Sequence, residues 1–298
     1  MTIRHVTIKN NFGEGIYVGS VEPDEPVATQ VAMGNEHSHI TIDDVTIVSA
    51  GANGGQGDGI DCKYGLTYVT IEDVDISAYR TGNGINLPQT FIDTDQHILI
   101  QDCYIHDATA DNTVGKAIMG GATVNYGQWG ERGITVRNCV IANSHMGIYI
   151  YQSDQAANLD DVYVYNNTVY GTTSSAGLNI GVDSNALIEN NLVYDNNGYN
   201  GVQASISGAN VTSDYNAWYN PSGTGWGYSS EGSHSIAMTA AQAAACVTNA
   251  AAENFTLLAG SVAINHGVAI SSFADDYLGT LRPQGGAWDI GAYEYVGS

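Results

Sequence analysis

The stretch Ile134-Thr-Val-Arg-Asn-Cys-Val-Ile141 decides the architecture, because its pattern returns along the whole chain. It reads apolar, any, apolar, polar, Asp or Asn, small or polar, any, apolar. The same eight residues recur at Ile40 to Ile47, Val69 to Ile76, Ile98 to Ile105, Val162 to Val169 and Ala186 to Val193, with weaker copies at Met1 to Ile8 and Val211 to Trp218. Apolar positions alternate with period two on either side of the polar pair, so each copy predicts two short strands meeting at a bend. A glycine and a second alternating run follow most copies: Gly15 to Val18, Gly59 to Lys63, Gly84 to Pro88, Gly147 to Tyr151, Gly177 to Gly181 and Gly201 to Ser205, with Ala117 to Gly121 as a variant. Three strands per repeat predict an all-β parallel solenoid of about eight coils.

Working outward from the motif, its sixth position forms an inward column: Val6, Val45, Val74, Cys103, Cys139, Asn167, Asn191 and Asn216. A buried amide is costly unless bonded, so three successive asparagines predict a hydrogen-bonded ladder. Cys62, Cys103, Cys139 and Cys246 lack CxxC or zinc spacing and read as buried thiols. The coils occupy residues 1–220. Residues 221–298 read as a closing segment packed on the last coil, with one Ala-rich short helix between Met238 and Ala252.

The composition agrees and excludes other classes. Charged residues make up 13% of the chain, against 36 Gly and 19 Tyr. That is a strand-and-turn vocabulary. A net charge of -23, with 8 Lys plus Arg against 31 Asp plus Glu, repels phosphate backbones, so no nucleic-acid partner is expected. No apolar run is long enough for a membrane-spanning helix, and no membrane role is expected. Met1 to Asn10 carries no secretory signal.

The three-strand coil with its asparagine ladder resembles the pectate-lyase superfamily of right-handed parallel β-helices. The ending, from Ser261-Val-Ala-Ile-Asn265 through Asp275-Asp-Tyr-Leu-Gly-Thr-Leu-Arg-Pro283 to Asp289-Ile-Gly-Ala-Tyr-Glu-Tyr295, is similar to the closing segment of bacterial secreted β-helix proteins. The resemblance implies a right-handed coil, a secreted or cell-surface location, and a polysaccharide lying along the sheet built from the Gly-led strands. It also exposes a departure. Such proteins begin with a capping element, whereas Met1 opens inside a bend motif, which predicts a fragment or an end covered by a missing segment or another subunit.

On the Gly-led strands the apolar residues point inward, which leaves Tyr17, Asp61, Asn86, Met119, Tyr149, Asn179 and Gln203 in one outward column. Gly19, Lys63, Pro88, Gly121, Tyr151, Gly181 and Ser205 form a second. Glu14, Asp58, Asn83 and Lys116 precede the glycine position. Lys63 is one of three lysines, and it sits beside Asp58 and Asp61 on a strand expected to face solvent. Lys63 or Lys116 would serve as the base of a lyase, with Glu14, Asp58 and Asp61 holding Ca²⁺ against a uronate. Paired carboxylates from the same three residues would instead suit a hydrolase. Tyr17, Asn86, Tyr149 and Tyr151 would line the sugar path, with Trp129 and Arg132 on a loop that walls it. The scattered histidines, His106 and His145 among them, read as surface or turn residues. Asp275 and Asp276 read as turn residues rather than calcium ligands.

The expectation is therefore a secreted polysaccharide lyase or hydrolase acting on an acidic, possibly uronate-containing, glycan. Its rival is a non-enzymatic glycan-binding, adhesin or structural β-helix.

Overall fold

Each bend turns on one residue in the left-handed region. His5, Asp44, Asp73, Asp102, Asn138, Asn166, Asn190 and Tyr215 all have φ between 50° and 61°. They occupy the motif position where the sequence places Asp or Asn in six of eight copies, the non-glycine residues that tolerate this conformation best.

In the computed structural model the described residues are 1–19, 37–52, 57–63, 66–87, 97–109, 115–121, 131–151, 159–174, 176–182, 185–194, 204–221, 225–227 and 230–297. In the first three coils, β1 (Thr2–Lys9), β3 (His37–Val48) and β5 (Leu66–Ser77) run through the bend unbroken. From the fourth coil the bend splits the strand in two. The pairs are β7 (Ile98–Gln101) with β8 (Tyr104–His106), β10 (Glu131–Arg137) with β11 (Val140–Ala142), β13 (Leu159–Tyr165) with β14 (Thr168–Tyr170), β16 (Asn185–Glu189) with β17 (Leu192–Tyr194), and β19 (Asn210–Asp214) with β20 (Ala217–Tyr219). With β21 (Ile236–Ala237) these make one 14-stranded sheet folded over the bend. The Gly-led strands β2 (Ile16–Val18), β4 (Ile60–Cys62), β6 (Ile85–Asn86), β9 (Lys116–Gly120), β12 (Met146–Tyr151), β15 (Leu178–Gly181) and β18 (Ala204–Ser207) form the second sheet. Every pairing in both sheets is parallel.

Inside, aliphatic residues from both sheets form one continuous core from Ile16 to Ile206. The inward column turns polar only in its last three coils. The Asn167 amide donates to Asn191 Oδ1 at 3.0 Å, and that of Asn191 to Asn216 Oδ1 at 3.0 Å. Each amide nitrogen also reaches a backbone carbonyl one coil back: Val136, Val164 and Ile188. Donors and acceptors are thus matched in a dry interior. Cys62, Cys103, Cys139 and Cys246 are buried free thiols.

The closing segment begins on the last coil, where β21 pairs with β20, Gly227 bridges to Ser205, and Ser235 Oγ accepts from Asn216 N. The Ala-rich stretch yields the short helix α1 (Ala240–Ala244), closed by a Thr239–Gln242 capping box, then a strand Val247–Asn249 and a 3₁₀ turn Ala250–Ala252. From there the chain returns along the outside of the coils. Phe255, Leu257, Ala263 and Ile290 bury the outward apolar residues Val140, Ala142, Leu192, Tyr194 and Ala217. The left-handed asparagines anchor this return: Asn138 donates to Asp275 O at 3.0 Å, Asn166 to Asp289 O at 3.0 Å and Asn190 to Val268 O at 2.8 Å. Outward apolar surface on β11, β14, β17 and β20 has to be covered, and one coil end cannot cover it. Arg282 locks the ending from within, with Glu294 at 3.0 Å and the carbonyls of Asp289 and Gly291. Asp276 accepts from the backbone N–H groups of Leu278, Thr280 and Glu294, the structural role its turn predicts.

Candidate functional site

The Gly-led sheet positions its side chains by backbone contact. A Cβ at Gly15 would lie 2.5 Å from Gly59 O, and one at Gly59 2.5 Å from Gly84 O, so consecutive coils stack here only because the side chain is missing. Strand alternation then sets the outward column, and pairing places Tyr17, Asp61, Asn86, Met119, Tyr149 and Asn179 side by side. Backbone bonds from Gly15 N to Asp58 O, Gly59 N to Asn83 O and Gly84 N to Lys116 O align Glu14, Asp58, Asn83 and Lys116 the same way.

Charge gathers in the first four coils. Asp61 Oδ2 meets Lys63 Nζ at 2.8 Å, and Asp61 Oδ1 accepts from Asn86 Nδ2 at 3.0 Å. Asp61 is 1% exposed, so the expectation of a solvent-facing carboxylate is corrected. Its neighbours Tyr17 and Asn86 and the side chain of Lys63 enclose it. Burial raises the Asp61 pKa despite these partners, whereas at Lys63 burial is outweighed by the Asp61 contact and the ammonium is held above its ordinary value. The Asp61 contact thus favours the charged ammonium, and Lys63 is a fixed cation.

Asp58 and Lys116 behave differently. Burial pushes the Asp58 carboxyl up to about 6, although Oδ1 accepts the Asn83 N–H. The Asn83 side chain in turn accepts the Lys116 N–H at 3.0 Å. Burial lowers the Lys116 ammonium, and the nearby Asp58 only partly opposes this. Among the described residues Lys116 has no ion-pair partner within 4.0 Å, and its Nζ lies 5.3 Å from the Tyr149 ring centre. Lys63 Nζ lies 5.7 Å from the ring centre of Tyr17. Each lysine is thus flanked by an aromatic face, and among the described residues one is paired with a carboxylate and one is not.

A family model described as right handed beta helix region matches residues 91–272, more than half of the chain. The chain belongs to this right-handed β-helix family. No curated protein matches it.

On this β-helix, Tyr17, Asp58, Asp61, Lys63 and Asn86 come together, with Lys116 and Tyr149 one and two coils beyond Asn86. Tyr149 and Tyr151 project from one strand with ring centres 5.8 Å apart and planes at 51°, and the Tyr151 ring lies over Gly181, where a Cβ would be 2.4 Å from Cδ2. Trp129 and the Arg132 side chain lie outside the described residues. Of the three residues expected to hold Ca²⁺, Asp61 has both oxygens engaged, by Lys63 and Asn86, and Asp58 accepts the Asn83 N–H. Asn179 pairs with Ser205 rather than Gln203, and Gly181 with Ser207, a two-residue shift that keeps the same faces outward.

His145 escaped the sequence reading as a site residue. It immediately precedes β12, it accepts or donates at 3.4 Å with Thr173 Oγ1, and burial and the Lys116 charge lower its pKa. Its position one residue before the column of Glu14, Asp58, Asn83, Lys116 and Met146 was the available signal.

Proposed function

We propose that the Gly-led sheet binds an extended acidic glycan and cleaves it by β-elimination. The observation that carries this reading is the division between its lysines: Lys63 is fixed to buried Asp61 at 2.8 Å, while Lys116 has no ion pair among the described residues. A lyase needs both kinds. A permanent cation neutralises the uronate carboxylate and stabilises the enolate, and a lysine of lowered pKa takes the proton α to that carboxyl. Of the two lysines expected as candidate bases, Lys63 suits the first role and Lys116 the second. The electron pair released at the α-carbon forms a double bond to the neighbouring ring carbon, the glycosidic C–O bond breaks, and the proton on Lys116 passes to the departing oxygen. Tyr17, Tyr149 and Tyr151 offer faces for sugar rings, and Asn86 positions Asp61. Calcium has no step in this scheme. Secretion and a cell-surface setting fit such a substrate, and among the described residues no helix is long and apolar enough to cross a membrane.

Incubation with a panel of uronate and neutral polysaccharides tests the reading. Unsaturated product absorbing at 235 nm, lost in Lys116→Ala by about a hundredfold or more, is expected. New reducing ends without that absorbance would assign the activity to a hydrolase centred on Asp58. The self-satisfied Asp61–Lys63–Asn86 group favours a second reading, a glycan-binding module without turnover, which binding with no product in any assay would select.

A further inference from the structure

We propose a divalent metal site formed by His106, Asp107 and Glu253, at a strand end of the 14-stranded sheet rather than on the Gly-led sheet, and independent of the latter's chemistry. His106 ends β8, Asp107 follows it, and Glu253 follows the 3₁₀ turn of the returning segment. His106 Nδ1 lies 3.0 Å from Asp107 Oδ2 and 3.5 Å from Glu253 Oε2, and the three ligand atoms all fall within 4.8 Å of one another. Metal–ligand bonds of about 2.0 to 2.2 Å place neighbouring donors roughly 3.0 to 3.5 Å apart, which is the spacing of His106 Nδ1 from each carboxylate oxygen.

The surroundings are those of a ligand set rather than a plain ion pair. His106 Nε2 faces Asp75 Oδ1 at 3.3 Å, so one carboxylate holds the ring nitrogen that points away from the site. Asn143 Nδ2 donates to Asp107 Oδ1 at 3.1 Å and to Glu253 Oε1 at 2.6 Å, tethering the far oxygen of each carboxylate and leaving Oδ2 and Oε2 toward the histidine. The Tyr104 ring stacks on His106 with centres 3.9 Å apart, and its hydroxyl donates to Glu253 Oε2. Carboxylate, histidine and metal in line, with hydrogen bonds on the ligating carboxylates, is how outer groups orient a metal site. Nδ1 points at two carboxylate oxygens, and one proton there makes a straight bond to only one of them. A dication satisfies all three donors.

One imidazole nitrogen and two carboxylate oxygens favour Mn²⁺, Co²⁺, Ni²⁺ or Zn²⁺ over Ca²⁺, which takes oxygen ligands. The side chains are 15%, 52% and 23% exposed, so an ion can enter and keep water in its remaining positions. Bound there, it would join the fourth coil to the returning segment.

The test uses the full chain stripped with EDTA and titrated with Zn²⁺ by calorimetry and with Co²⁺ by visible absorption. One equivalent binding at micromolar or lower Kd is expected, with a visible Co²⁺ spectrum and a paramagnetically shifted imidazole N–H proton in the wild type. His106→Gln and Glu253→Gln should each weaken Zn²⁺ at least tenfold, and Asn143→Ala about tenfold. At a hundredfold excess over Kd, Zn²⁺ should raise the wild-type Tm by about 5 °C and leave His106→Gln unmoved. Absence of saturable binding to the wild type overturns the proposal, whatever the variants do. So does unchanged binding in a folded His106→Gln.

Discussion

The two long faces of this solenoid carry outward side chains of opposite character. Along the Gly-led sheet, Tyr17 and Tyr151 stay 40% and 38% exposed, beside a buried carboxylate and two lysines. Along β8, β11, β14, β17 and β20, the outward residues are Tyr104, Val140, Ala142, Tyr170, Leu192, Tyr194, Ala217 and Tyr219, and the returning segment covers them. The covered face is made of apolar surface that stabilises by burial. The bare face holds groups that burial disfavours, Asp58, Asp61 and Lys116, for which stability gives no reason. Perturbed groups on an open face beside aromatic rings are what a binding surface requires.

The sharpest way to break this contrast is to remove a side chain from the covered face. Phe255 is 1% exposed and meets Tyr170 at 5.5 Å between ring centres. Phe255→Ala should cost about 3 to 5 kcal/mol, whereas Tyr151→Ala on the bare face should cost about 1 kcal/mol or less. Chemical denaturation of the two variants checks this, and equal losses would mean that the returning segment does not hold the coils. Next in size is Asn191→Leu, which takes Asn191 Oδ1 from both the side-chain and backbone N–H groups of Asn167 and leaves Asn216 Oδ1 with the residue 191 backbone N–H alone of its two donors from that residue. A loss of about 2 to 4 kcal/mol is expected, read from the same denaturation curves.

Local pattern made the coils legible, and tertiary contact hid the rest. The bend reads directly because an aspartate or asparagine at one motif position accepts left-handed φ, and the inward column follows from period two. The register slip in β18 arose where Gly201 offered a false marker, yet Ser205 still faces outward because a two-residue shift preserves alternation. The path of the closing segment was invisible, since Glu253 meets Tyr104 and Asn143 with no periodicity to announce it. His106 was hidden for the same reason. The burial of Asp61 depends on Tyr17, Asn86 and Lys63 closing over it, which outward-facing alternation alone does not reveal.

A third prediction sharpens the bare face through pH. The folded state holds the Asp58 pKa at about 6, above its ordinary value of 3.8, so the native protein binds more protons than the unfolded chain between these values. Stability from this group is fully present below about pH 4 and is lost as pH rises through 6. Asp58→Asn keeps an acceptor for the Asn83 N–H and should match wild type at pH 4 while exceeding it by up to about 3 kcal/mol at pH 8. Melting curves at the two pH values decide, and a constant difference would remove Asp58 from the site.

The smallest expected stability effects separate the two lysines, and here the signs matter more than the sizes. Lys63→Met strips the ammonium from an aspartate that is 1% exposed, leaving Asn86 as its remaining partner, and should cost about 1 to 3 kcal/mol. Lys116→Met removes a cation that burial disfavours and that has no ion pair among the described residues. Because folding lowers the Lys116 pKa, the native state binds fewer protons than the unfolded chain between the folded and unfolded values, and wild-type stability rises with pH across that window. At neutral pH the methionine variant should therefore be as stable as wild type or more so, by about 1 kcal/mol at most, and should lose the alkaline rise. Denaturation at pH 7 and pH 10 reads both signs without any substrate. If Lys116→Met destabilises as Lys63→Met does, Lys116 is a structural cation like its neighbour, and the base of the elimination must be sought elsewhere on the sheet.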